Sequence, residues 1–102
     1  MQIIKCLSEK IEDELEDACA YIDDAIKWKS EEPDTADVFY EISLEEMGHM
    51  EKLHNEVVEL IEAYRAEHGD PPKEMMTLYD YLHRQHIAKA TKIRIKQEMY
   101  KA

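Results

Sequence analysis

The sequence has little of what a strand-rich or disulfide-stabilised protein needs. Its 102 residues include only 2 Gly, 3 Pro and 2 Cys. So few turn-forming residues leave little material for hairpin loops, and we predict an all-α fold. Cys6 and Cys19 lie about 220° apart around one helix, so they cannot bridge within it. Two free thiols suggest a reducing compartment. The chain has no C-x-x-C pair, so it encodes no rubredoxin-type iron centre or zinc knuckle.

Positive charge and long apolar runs are also scarce. Lys and Arg number 13 against 24 Asp and Glu, for a net charge of -11. This balance argues against nucleic acid and anionic membranes as partners, and it favours cations as ligands. No apolar run approaches the roughly 18 residues of a membrane span, and the N-terminal run is too short for a signal peptide. We therefore expect a soluble, cytoplasmic protein.

The charge is unevenly distributed along the chain. Residues 1–72 carry 6 Lys and Arg against 21 Asp and Glu, whereas residues 73–102 carry 7 against 3. The basic C-terminal segment could therefore dock on an acidic surface of its own chain or of a neighbouring copy.

The pattern of apolar residues predicts one domain, residues 1–102, built of three helices. The first covers about 3–29. Pro33 breaks the pattern, and Asp34 or Thr35 is expected to cap a second helix that Gly69 and the following prolines end. The short first loop makes residues 1–69 an antiparallel hairpin. A third helix covers about 73–100, and its basic last turns could lie exposed.

Glu46 and His49 are the first candidate metal ligands. Residues three apart share one face of a helix, so a carboxylate and an imidazole at this spacing can reach one ion. Such pairs also arise by chance in a chain this rich in glutamate. Orientation is the stronger argument, because Glu46 falls at the centre of the apolar stripe and His49 about 60° from it. Glu51 and His54 repeat the spacing, but Glu51 lies about 140° from Glu46 around the helix, among solvent-facing residues. We expect a surface ion pair or no interaction there.

Glu14 repeats this anomaly on the first helix, where it falls within the apolar stripe. Burying an unpaired carboxylate costs several kcal/mol, so such a group is neutralised, paired with a cation or bound to metal. One inward Glu is most simply a satisfied core residue. Two inward carboxylates and an imidazole on adjacent antiparallel helices favour a metal site. One hairpin supplies half of a four-helix carboxylate site, which a homodimer completes.

The same residues resemble the first half of the ferritin-like superfamily. The resemblance covers residues 11–65 and rests on Glu14-Leu15, Tyr21 and the run Glu45-Glu46-Met47-Gly48-His49. Ferritins and rubrerythrins carry two such hairpins per chain, whereas encapsulated ferritins carry one and dimerise, and this chain looks most like the latter.

The resemblance implies a four-helix bundle completed by homodimerisation, with Glu14, Glu46 and His49 as ligands and Glu46 as the bridging one. It also implies Tyr21 as the catalytic tyrosine beside the site, and Asp13 and Glu16 on the metal's path inward. The implied cofactor is iron, two ions per dimer, with manganese as an alternative, and the implied activity is ferroxidase-type oxidation of Fe(II).

The sequence is also compatible with other functions. Ala20 stands where encapsulated ferritins have tryptophan, and the third helix is long and basic. Both features suit a rival hypothesis of a non-catalytic structural or interaction protein of phage or mobile-element origin. Metal could also staple the dimer without turnover. For His83 and His86, a core or interface histidine bonded to a carboxylate is the favoured interpretation over a ligand pair.

Overall fold

The described chain consists of three long helices. A computed structural model describes residues 2–102, so Met1, the first residue of the predicted domain, lies outside the described residues. The helices are α1 (Gln2–Trp28), α2 (Pro33–His68) and α3 (Lys73–Lys101), and residues 2–102 contain no strand. They form a rod of 56 × 19 × 18 Å. The all-α prediction is confirmed.

The helix ends follow the sequence signals closely, with one correction. α2 begins at Pro33 itself, with Glu32 as the residue before it and no side-chain capping bond. The predicted cap at Asp34 or Thr35 is therefore wrong. Proline is well suited to the first turn, because its fixed φ fits the helix and its missing N–H has no partner there. At the other end Gly69 has φ 79°, a conformation that favours glycine, and its N–H bonds Arg65 O at 3.0 Å.

The hairpin and α3 pack side by side. α1 runs antiparallel to α2, and α3 lies against both, parallel to α1. α3 packs more closely on α1 than on α2. The core contains apolar side chains from all three helices, among them Leu15, Ile22, Met47, Val57 and Ile93.

A buried polar relay joins the three helices. The Ser43 hydroxyl donates to Ala18 O at 2.8 Å, and Gln97 Nε2 donates to Ser43 Oγ at 3.0 Å. Ser43 is fully buried and Gln97 is 4 % exposed. Because each polar atom needs a partner inside the core, this relay fixes the register of α3 on the hairpin.

The basic α3 docks on the acidic hairpin of its own chain. Lys89 pairs with Glu12, Arg94 with Glu51, and Lys96 Nζ with Asp23 Oδ1 at 2.8 Å. The expectation that the last turns lie exposed is wrong, because Tyr100 is buried and its hydroxyl bonds Asp37. Within residues 2–102, none of the helices combines the length and apolar character that a membrane span requires.

Candidate metal centre

The structure brings Glu14, Glu46 and His49 together. One ligand atom of each lies within 4.8 Å of the other two, and this is the only such cluster of three or more His, Cys, Asp or Glu among residues 2–102. His49 Nδ1 is 3.5 Å from Glu14 Oε2. The antiparallel hairpin produces this meeting, because it sets Glu46 and His49 on α2 beside Glu14 near the middle of α1.

The two carboxylates are held closer than their charges favour. Glu14 Oε2 is buried and has no hydrogen-bond partner, since the imidazole lies at ion-pair distance rather than in hydrogen-bonding geometry. A hydrogen bond with Glu14, partial burial and the negative charge of Glu14 raise the pKa of Glu46 to about 7, and His49 opposes this rise. The effect of Glu14 and of burial on the pKa of Glu46 therefore outweighs that of the imidazole.

The cluster lies at an open flank of the hairpin rather than at the centre of the core. Glu14 and Glu46 are partly buried, and the His49 side chain is 53 % exposed. The predicted central, inward position of Glu46 and His49 needs this correction. Its cause is α3, which packs on the opposite side and shifts the fully buried stripe of α2 toward Ser43 and Met47.

Tyr21 lies on the same flank, two helical turns or about 10 Å along α1 from Glu14. Its partly buried ring packs against Phe39, with centroids 6.1 Å apart and the planes tilted by 42°. Phe39 precedes Glu46 by two turns on the antiparallel helix, so the aromatic pair lies about 10 Å from the cluster, toward the interhelical loop. Among the described residues, the Tyr21 hydroxyl forms no hydrogen bond to the three ligands.

Three further acids lie close to Glu14 in the sequence of α1. Asp17 was missed by the sequence analysis, although it lies one turn from Glu14, and its charge adds to the rise in the pKa of Glu46. Its i, i+3 spacing from Glu14 was the available signal. Asp13 and Glu16 are exposed, as an ordinary solvated face would be. Their placement on a metal path stays a prediction.

Within residues 2–102, the remaining histidines form no comparable ligand cluster. His86 is buried, and its Nε2 is 3.1 Å from Glu12 Oε2, so it is a core histidine beside a carboxylate. His54 stacks on His83 with ring centroids 4.8 Å apart. Glu51 pairs with Arg94 of α3, so the second Glu-x-x-His motif of α2 is divided between two unrelated contacts.

Comparison with models of protein families, with curated proteins and with solved structures finds no match to this chain.

Proposed function

We propose that this chain is a ferritin-like metal protein, in which two copies meet through the open flank of the α1–α2 hairpin and bind a pair of ferrous ions. Manganese is the alternative metal. The observation that carries the proposal is the meeting of Glu14, Glu46 and His49 around a buried carboxylate oxygen of Glu14 that has no hydrogen-bond partner. The proposal requires a four-helix bundle composed of one hairpin from each copy.

The residues present fit such a metal. Carboxylate oxygens with one imidazole per chain form a hard, oxygen-rich donor set that suits non-haem iron or manganese. Glu14 Oε2 is buried without a hydrogen bond, so a cation is the kind of partner it lacks. A divalent ion would also relieve the repulsion that raises the pKa of Glu46 to about 7.

A second copy is needed because one chain supplies only three donors. Di-iron bundles take one Glu from each of two helices and a Glu-x-x-His pair from each of two others. A two-fold axis through the flank would duplicate Glu14 and the Glu46/His49 pair to give that set. Partly exposed apolar side chains lie along the same side of α2 as the cluster and would be covered by the second copy: Ile42, Leu53 and Leu60.

In this proposal ferrous ions are the substrate, and dioxygen accepts one electron from each ion. The protein's own residues bind and position the ions. By the resemblance, Glu46 is the bridging ligand and Tyr21 is the tyrosine near the site. The 24 acidic residues raise the local concentration of cations around the protein. The activity would be that of a ferroxidase-type oxidoreductase.

Oxygen consumption on adding ferrous iron to metal-free protein tests the activity. The parent should consume oxygen faster than ferrous iron in buffer, and Glu46→Gln should fall to the buffer rate. Glu51→Gln is the matched control, because it removes the acid of the other Glu-x-x-His motif on the same helix, and it should match the parent. Equal rates for the Glu46 and Glu51 variants would place the chemistry elsewhere.

A structural role is the second candidate, and one observation favours it. Contacts that need no metal join α3 to the hairpin, among them the ion pairs Lys89–Glu12, Arg94–Glu51 and Lys96–Asp23. A scaffold protein would melt at the same temperature with chelator or with any divalent metal, since only bound ligand raises stability. A metal that staples the dimer without turnover would raise the melting temperature and leave oxygen consumption at the buffer rate.

A further inference from the structure

The outer face of α3 carries a row of large apolar side chains that nothing in the described chain covers. Leu78, Tyr81, Ile95 and Met99 are 58 %, 60 %, 56 % and 61 % exposed. When α3 is divided into heptads with Leu78 at position a, Tyr81 and Ile95 fall at d and Met99 falls at a. These are the positions that form the seam of a coiled coil. Gln85, Ala88 and Lys92 occupy the three a and d positions between the two apolar ends. We call this row the outer stripe of α3.

The outer stripe is almost neutral, although α3 is the basic part of the chain. Of the 7 Lys and Arg in residues 73–102, Lys89, Arg94 and Lys96 are paired with acids of the hairpin. The other four are balanced by Glu74, Asp80 and Glu98 to within one charge. An acidic protein or an anionic membrane would therefore gain little from this face. A second copy of the same stripe would meet little repulsion.

Charges beside the stripe favour one orientation. In an antiparallel pair, Tyr81 lies in one layer with Met99 of the second copy, and Arg84 faces Glu98 of that copy twice by symmetry. Arg84 and Glu98 form no ion pair within residues 2–102. A parallel pair would instead bring Lys92 against Lys92 of the second copy and Arg84 near Lys89, which are like-charge contacts.

Two other positions fit the antiparallel register. Ala88, the smallest side chain in the stripe, lies opposite Lys92 of the second copy, where it leaves room for the long side chain. Lys89 approaches Lys89 of the second copy at the edge of the seam, but each is already neutralised by Glu12 of its own chain. Thr91 faces Thr91 of the second copy across the two-fold axis.

We propose that α3 pairs antiparallel with α3 of a second copy through this outer stripe, forming an interface that needs no metal. It lies on the side of the hairpin away from Glu14, Glu46 and His49, so it does not depend on the proposed metal site. With both interfaces occupied, each chain would contact two neighbours, and the assembly would be larger than a dimer.

Cross-linking at Thr91 tests the register directly. Cys6→Ser and Cys19→Ala remove the native thiols, and Thr91→Cys then presents one thiol close to its symmetry mate. Thr77→Cys is the matched control, because both threonines are exposed on the same edge of α3 and both hydroxyls bond the carbonyl four residues back at 2.9 Å. In the proposed register the two copies of residue 77 lie about 40 Å apart along the helix axis.

With a short bismaleimide in the presence of chelator, Thr91→Cys should give a covalently cross-linked dimer and Thr77→Cys should give none. Equal cross-linking of the two variants, or none in either, would overturn the proposal. As a second measurement, Arg84→Glu should weaken self-association in chelator about tenfold, and adding Glu98→Arg should restore it. A double variant as weak as Arg84→Glu would also contradict the register. Because chelator keeps the metal site empty, these results test the α3 interface alone and do not depend on whether the proposed metal site exists.

Discussion

Replacing Glu46 with Gln should stabilise the metal-free protein while abolishing its response to metal. Gln resembles the protonated carboxyl group, keeps its ability to hydrogen-bond Glu14 and removes the charge that repels it. The pKa of Glu46 rises from 4.5 to about 7 in the folded chain. The folded state therefore binds the Glu46 proton more tightly than the unfolded state, and stability is lost as pH rises from about 4.5 to about 7. Above about pH 7 the stabilisation from the Glu46 proton is lost completely.

The size of the effect follows from this shift. At 1.36 kcal/mol per pKa unit the full shift corresponds to about 3 kcal/mol. Solvent reaches one side of the cluster and screens the repulsion, so we take about 1 kcal/mol. For a domain of this length that is a rise of about 4–8 °C in melting temperature. The gain should be present at pH 8 and should shrink toward pH 5.

Thermal melts of metal-free parent and variant at pH 5 and pH 8 measure this gain. Glu45→Gln is the matched control, because it removes the same charge from the neighbouring exposed position. With manganous ion the order should reverse, since metal at 100 times its dissociation constant adds about 2.7 kcal/mol to the parent only. A Glu46 variant no more stable at pH 8 than the Glu45 variant would refute the crowded-carboxylate account.

Two further predictions concern the packing of α3. Ser43→Ala should lower the free energy of unfolding by about 1–3 kcal/mol, because Gln97 then keeps a buried amide without its partner, and urea denaturation measures the loss. Burial and the adjacent His83 lower the pKa of His54 below its ordinary 6.5, so the unfolded chain binds this proton first and stability falls as pH drops below 6.5. Comparing urea midpoints of the parent and His54→Gln at pH 7.5 and pH 5.5 should show a smaller loss in the variant; an equal loss would assign the pH dependence to other groups.

Most of the fold could be predicted because its signals are local. Scarce glycine and proline, apolar residues at helical spacing and the Gly69 boundary depend on short stretches of chain, and the three helices follow from them. The start of α2 was misplaced because Pro33 serves equally as a helix breaker and as a first-turn residue. The difference depends on the backbone before it, which spacing does not reveal.

The grouping of Glu14, Glu46 and His49 was also predictable, since an antiparallel hairpin aligns stripes on neighbouring helices. The extent to which these three side chains are buried could not be predicted. The apolar stripe of α2 is wide enough to face two neighbours, and the sequence does not say which of its edges α3 covers. Pairings distant in sequence, such as Lys96 with Asp23, decide that question. They place α3 opposite Glu46 and leave His49 exposed.

The stoichiometry of metal binding tests the central claim most directly. Each chain holds half a site, so anaerobic calorimetric titration with ferrous ion should saturate at about one ion per chain, or two per dimer. Sedimentation of the loaded protein should show that metal brings hairpins together. Glu14→Gln and Glu46→Gln should bind none in this range, and Glu51→Gln should bind like the parent. Saturation of the parent with no more iron than Glu46→Gln would contradict the account.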